Sequence, residues 1–111
     1  MSFQYILVYI TTASREEAKK ISKALLETEL VACTNIIGEM HSAYHWQGQI
    51  EENQETILVA KTKLELFTEL ETKVKELHSY DCPCIIALPI IAGSEGYLEW
   101  LQQSCKKSSK V

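Results

Sequence analysis

Cys82-Pro83-Cys84, with His78 four residues upstream, is the cluster in this chain best suited to chemistry. Thiolates and an imidazole are soft donors that can hold Cu(I) or zinc. One residue separates the two cysteines, fewer than the two or more that zinc sites usually employ. His78, Cys82 and Cys84 are therefore the candidate metal ligands. No cofactor is required by the sequence, and the candidate ion is copper or another divalent metal. His41 and His45 fall on one strand face, but four residues at ~3.3 Å each set them about 13 Å apart. They cannot chelate one ion within a subunit and read as solvated.

A second candidate group is polar but not metal-binding. Lys61 ends an apolar strand, where a lysine must reach solvent, a carboxylate or a bound anion. Asn35 and Tyr80, polar residues flanked by apolar segments, can join it in lining a cleft. Tyr44 and Trp46 form an aromatic stripe that suits subunit packing better than ligand stacking. Cys33, inside an apolar strand, reads as a buried small residue. No nucleophile with its base, no glycine-rich phosphate loop and no paired-carboxylate site is recognisable, so no reaction is expected and the chain does not read as an enzyme.

These residues must be positioned by a small fold. A chain of 111 residues fits one domain with a single core. Residues 1–105 read as that domain and residues 106–111, with Lys106-Lys107-Ser108-Ser109-Lys110, as a basic flexible tail. The apolar share of 46% and charged share of 23% are those of an ordinary globular protein. No apolar run is long enough to span a bilayer. The start, Met1-Ser2-Phe3-Gln4, lacks the features of a secretory signal, so a cytoplasmic location is expected. There the four cysteines should be free thiols. A net charge of −4 argues against nucleic acid as a partner.

Along the chain, Phe3 to Thr12 is nearly continuously apolar, predicting a central strand buried on both faces. Ser14 with Glu17 forms a capping-box pattern, and Ala18, Ile21, Leu25 and Leu26 give the apolar stripe of a first helix. From Thr34, even positions (Ile36, Met40, Tyr44, Trp46) are mostly apolar and odd ones polar, the period of one long half-buried strand. At about 13 residues it outruns the usual strand of about five or six. Gln47-Gly48-Gln49 turns it back toward the apolar run Glu55 to Lys61. Thr62 with Glu65 repeats the capping pattern before a second helix marked by Leu64, Phe67, Leu70, Val74 and Leu77. Cys84 to Ile91 predicts a fourth strand, with Pro89 tolerable on an edge. Tyr97, Leu98, Leu101 and Cys105 mark one face of a third helix.

The order β-α-β-β-α-β plus a C-terminal helix predicts an α+β fold, the ferredoxin-like split βαβ with an antiparallel sheet. The first and third strands belong in the centre, the second and fourth at the edges. A long edge strand carrying aromatics must be covered, and closed self-association is the economical cover.

The chain also resembles the CutA family over nearly its whole length. The resemblance rests on Thr11-Thr12, Ala18, Leu30-Val31-Ala32-Cys33-Thr34-Asn35-Ile36-Ile37 and Ser42-x-Tyr44-x-Trp46-x-Gly48-x-Ile50-Glu51-Glu52. It continues through Lys61-Thr62, Leu77-His78-x-Tyr80, Pro83, Ile85-Ile86-Ala87-Leu88-Pro89, Gly93, Tyr97-Leu98 and Trp100-Leu101. It implies a small cytosolic homotrimer of ferredoxin-like subunits, associated with tolerance of copper and other divalent cations. It also implies an assembly similar to that of PII nitrogen-signalling proteins. The usual His-Pro-Tyr of the family reads His78-Ser79-Tyr80 here, and Cys84 stands where a glutamate normally follows the proline. Of the copper ligands proposed for some members, at the positions of Thr11 and Leu77-His78, only His78 is kept.

Three other modules share this strand order. An RNA-recognition module would carry aromatics on its third strand, where this chain has Ile57-Leu58-Val59-Ala60. A heavy-metal chaperone would place Cys-x-x-Cys where Thr11-Thr12-Ala13-Ser14 stand. An acylphosphatase-like enzyme would need a phosphate loop there, which Arg15 alone does not make. The leading expectation is a trimeric metal-tolerance protein with metal ions and its own copies as partners. The alternative is a trimeric PII-like metabolite sensor or enzyme with intersubunit clefts near Lys61 and His78.

Overall fold

The computed structural model describes residues 3–107. Its elements run β1 (Tyr5–Thr12), α1 (Arg15–Glu27), β2 (Cys33–Trp46), β3 (Gln49–Lys63), α2 (Phe67–Leu77), β4 (Ile85–Pro89) and α3 (Glu95–Ser104), with a 3₁₀ turn at Leu64–Leu66. The strands form one antiparallel sheet in the order β2-β3-β1-β4. The two most apolar strands are central and Pro89 closes an edge strand, as the sequence predicts. No helix among the described residues is long and apolar enough to cross a membrane.

Burial of β1 on both faces is not what the fold produces. Ile6, Val8, Ile10 and Thr12 are buried, while Tyr5, Leu7, Tyr9 and Thr11 are half-buried. The cause is that α1 and α2 cover one side. Ala18, Ile21 and Leu25 from α1 and Leu70 and Val74 from α2 share a core with the even-numbered residues of β1 and with Leu58 and Ala60. Leu26, expected on that stripe, is exposed. On the opposite, open face the register aligns Leu7 with Leu88 and Tyr9 with both Ile86 and Val59. Ile37, Ile86 and Leu88 there remain 53%, 52% and 48% exposed. One end of this face is covered by α3, where Gln102 Oε1 accepts the Tyr5 hydroxyl at 3.2 Å and Leu101 is fully buried.

The first two helices begin differently. Ser14 caps α1, its Oγ accepting the Glu17 amide at 3.1 Å as the pattern predicts. Thr62 does not cap α2. Its hydroxyl is fully buried and donates to the Leu30 carbonyl at 2.6 Å, and β3 continues through Lys63. The second helix therefore starts later, after the 3₁₀ turn and without a side-chain cap.

The β2–β3 hairpin is the most distinctive element. Gln47 (φ 51°) and Gly48 (φ 79°) are both left-handed, so they make the two-residue mirror-image turn that suits twisted strands. Gln49 already pairs with Trp46, and β3 runs 15 residues. β1 pairs with β3 only from Thr56 to Lys63, so the hairpin from Met40 to Glu55 projects as an arm. The molecule is elongated accordingly, 43 × 26 × 25 Å.

A bulge breaks the single alternation expected along β2. Ile37 faces Ile57 and Met40 faces Glu55, so Gly38 and Glu39 together oppose Thr56. The phase inverts there: Asn35 and Ile37, odd-numbered, share the open face with Met40, Ser42, Tyr44 and Trp46. Glycine is needed at the crossing, because a Cβ on Gly38 would stand 3.1 Å from Thr56 Oγ1.

The basic tail expected over 106–111 lies partly within the described residues. The Lys106 amide donates to the Glu29 carbonyl at 2.9 Å and its ammonium meets Glu69 at 2.7 Å. Residues 108–111, including Ser108, Ser109 and Lys110, lie outside the described residues.

Candidate functional site

Running from the base of the arm toward its tip, β1, β2, β3 and the loop from α2 to β4 line a cleft of about 660 Å³. Tyr9 and Thr11 come from β1, Met40, Tyr44 and Trp46 from β2, Glu51 and Glu55 from β3. Tyr80, Asp81, Cys82 and Cys84 arrive on the loop.

That loop is positioned through the start of α1. One oxygen of Glu17 accepts the Ala13 amide and the other the Ser79 amide, each at 2.9 Å. Burial alone would raise the Glu17 carboxyl, but the hydrogen bonds from Ser79 and Ala13 outweigh it and hold the group below its ordinary value. The His78 ring, its side chain fully buried, follows. Its Nδ1 accepts the Tyr80 amide at 3.1 Å, which puts the proton on Nε2, and Nε2 donates to the Thr11 carbonyl at 2.7 Å. Glu17 lies 3.9 Å from Nδ1, but a nitrogen carrying a lone pair makes no ion pair there. The His78 and Tyr80 rings then meet in a tilted contact at 4.8 Å, and the Tyr80 hydroxyl reaches Glu55 Oε2 at 2.9 Å. Burial, with the bond to Glu55 and its charge, pushes the Tyr80 phenol well above its ordinary range. The Cys84 thiol is raised by burial and then by Glu55.

The expected site residues separate into two groups. Lys61 and Asn35 do meet, at 3.4 Å, on the open face under α3. Lys61 also approaches Cys33 Sγ at 3.7 Å and lies 5.7 Å over the Tyr97 ring, whose hydroxyl is 3.3 Å from Cys33. Cys33 is thus half-buried against polar neighbours, not an inert core residue. The bond to Cys33, followed by burial, raises the Tyr97 phenol. Tyr80 is not part of this cluster: six residues of β3, about 20 Å, separate Lys61 from Glu55.

His78, Cys82 and Cys84 share one loop but do not converge. Both His78 nitrogens are spent on the backbone. Cys82 is exposed, Cys84 half-buried, and both line the cleft. Among the described residues no group of three or more His, Cys, Asp or Glu is arranged to hold a metal ion. All four cysteines are unpaired, as expected. His41 pairs with Glu52 at 2.8 Å on the exposed arm. Tyr44 and Trp46 are 40% and 49% exposed along the cleft's outer wall.

Sequence reasoning missed Glu55 and Glu17. A glutamate in phase with Ile57 and Val59, opening an apolar run, is an anomaly visible in the sequence. The reach of Glu17 to Ser79, 62 residues away, is not.

This architecture is not isolated. A family model described as CutA1 divalent ion tolerance protein matches residues 6–104. The chain belongs to the CutA1 family. It is 46% identical over 98 residues to the divalent-cation tolerance protein CutA of Thermus thermophilus, covering 88% of this chain and 95% of that one. It is 41% identical over 101 residues to the chloroplastic protein CutA of Arabidopsis thaliana, covering 91% of this chain but spanning only 56% of the relative. The crystal structure of CutA1 from Oryza sativa superposes with a TM-score of 0.92 at 37% identity, covering 96% of this chain and 98% of that chain. The CutA1 sheet with three helices is thus shared, and the family is one named for metal tolerance.

Proposed function

We propose that this chain is the subunit of a cytoplasmic homotrimer of ferredoxin-like subunits that serves tolerance of divalent metals, copper foremost, by binding and not by catalysis. The observation carrying the assembly is the open sheet face. Ile37, Ile86 and Leu88 stand about half exposed on it, beside an arm whose tip offers Trp46 and Ile50. An apolar face of this kind, next to a long unpaired edge, is stable in solution only when another copy covers it. A closed three-fold ring covers every copy equally.

For the metal we assign Cys82 and Cys84. Both open onto the cleft, and thiolates favour Cu(I) over harder ions. His78 is better read as a positioning residue, because ligating through either nitrogen would strand the Thr11 carbonyl or the Tyr80 amide. The second reading is a metabolite sensor of PII type. It is favoured by the size of the cleft and by the scarcity of converging metal donors.

Light scattering tests the assembly: three times the 12.6 kDa subunit is expected, and Trp46→Asp should lower the mass. A parent protein that stays at 12.6 kDa removes the trimer. Chelator competition tests the metal. Cu(I) captured by the parent and released by Cys82→Ser/Cys84→Ser supports this assignment. Absence of Cu(I) binding in the parent as well as in the variant transfers the cleft to the metabolite reading.

A further inference from the structure

We infer that Cys33 and Lys61 form an oxidisable pair: a hydroperoxide converts the Cys33 thiol to a sulfenic acid, which the Lys61 amine captures as a covalent bond between sulfur and nitrogen. The inference rests on neither the metal assignment nor the three-fold assembly.

The pair is set by register. Cys33 opens β2 and stands directly opposite Lys61 of β3, the cross-strand position in which Cβ atoms lie about 4.5–5.5 Å apart. Lys61 Nζ comes to 3.7 Å from Cys33 Sγ. Its other polar contact is Asn35 Oδ1 at 3.4 Å, and it lies over the Tyr97 ring. Among the described residues no carboxylate pairs with Lys61, so loss of its proton strands no ionic partner. Lys63, by contrast, is tied to Glu65 at 3.2 Å. All the groups around Cys33 belong to one subunit, and α3 of the same chain closes over them through Tyr97. The cluster is defined by contacts already made and not by an unfilled surface.

The chemistry follows from these contacts. The bond to Cys33 raises the Tyr97 phenol, so that hydroxyl keeps its proton and donates to the sulfur. Lys61 and Tyr97 thus aim donors at Sγ, and the same donors are placed to hold the oxygen that oxidation adds there. Cys33 is half-buried and Asn35 exposed, which leaves a path for a small peroxide. In the first step the sulfur attacks the peroxide, the O–O bond breaks and an S–O bond forms. The sulfur gives up an electron pair, the peroxide takes it up, and the thiol proton leaves with the water or alcohol released. In the second step Lys61 gives one proton to solvent and its lone pair attacks Sγ. The S–O bond breaks, and the departing hydroxyl takes a further amine proton and leaves as water. The product joins the start of β2 to β3, and thiol reductants reopen it.

The test treats the intact protein carrying Cys82→Ser and Cys84→Ser, which removes the competing thiols of the α2–β4 loop, with hydrogen peroxide and maps its peptides by mass without reduction. A linked peptide containing Cys33 and Lys61 is expected, lighter than its parts by two hydrogen atoms and separated again by dithiothreitol. Lys61→Arg, which keeps the charge, should abolish the link and leave a Cys33 sulfenic acid that dimedone traps. Cys33→Ser should abolish both products. The inference is overturned if Cys33 stays unmodified, which includes the case where a neighbouring copy seals it off. It is equally overturned if dimedone captures Cys33 as fully with Lys61 present as with arginine, or if Cys33 joins Cys105 in a disulfide instead. Each of these results leaves the trimer and the thiolate assignment standing, because those are read by mass in solution and by Cu(I) competition.

Discussion

Glu17 accepts the Ser79 amide at 2.9 Å, and through that bond the first turn of α1 sets the position of the loop carrying His78 and Tyr80. The residue that completes the N-terminal cap of α1 here also holds the back wall of the cleft. The same carboxylate accepts the Ala13 amide, so one side chain joins the end of β1 to the end of α2.

Acid should therefore weaken the fold through this residue. The Glu17 carboxyl is lowered in the folded state, so its contribution is fully present above the ordinary carboxylate range and is lost as pH falls through the lower folded value. Urea midpoints of the parent and of Glu17→Gln, measured at about pH 7 and about pH 3, should differ clearly at the higher pH and converge at the lower. A constant difference would mean that the charge of Glu17 is not what matters.

Ser79→Pro tests the contact with Glu17, which the Ser79 amide and side chain make together. His78 is already extended (φ −79°, ψ 142°), the conformation favoured before proline. What is lost is a hydrogen bond to a charged group, about 1.5–3 kcal/mol, partly offset by about 0.4–1 kcal/mol from a stiffer unfolded chain. A net loss of about 1 kcal/mol in denaturant unfolding is expected, and Glu17→Gln should largely remove the difference. An unchanged or raised stability would show that the contact between Ser79 and Glu17 contributes little.

Gly38→Val should damage the bulge. A Cβ there meets Thr56 Oγ1 at 3.1 Å and Cγ2 at 3.3 Å, against a buried Thr56. A loss of about 1–3 kcal/mol is expected. Pairing Gly38→Val with Thr56→Ser, which removes the methyl at 3.3 Å, should recover part of it.

Thiol titration should rank the cysteines by exposure and proton affinity. Cys82, exposed, should react first with a disulfide reagent. Cys105, 8% exposed and raised by burial, should react last, and all four should titrate in denaturant. Rapid modification of Cys105 in the folded protein would show that the end of α3 opens.

The local features of this chain were legible in its residues because their causes are local. Ser14 with Glu17 marks the start of α1, Gln47-Gly48 marks the hairpin turn, and the apolar runs of β1 and β3 mark the centre of the sheet. Each depends on neighbours within a few positions. The face that a side chain occupies after a bulge does not. Nothing in the alternation of β2 reveals that Gly38 and Glu39 share one partner, and that single insertion moves Tyr44 and Trp46 to the face of Asn35 and Ile37. The candidate site is likewise a product of tertiary structure. Thr11 meets His78 across 67 residues and Glu55 meets Tyr80 across 25, while Lys61 and Tyr80, expected together, are parted by the length of β3. Periodicity specifies which residues are apolar and how they repeat. Register and packing decide which polar groups are buried beside one another, and that juxtaposition makes the cleft.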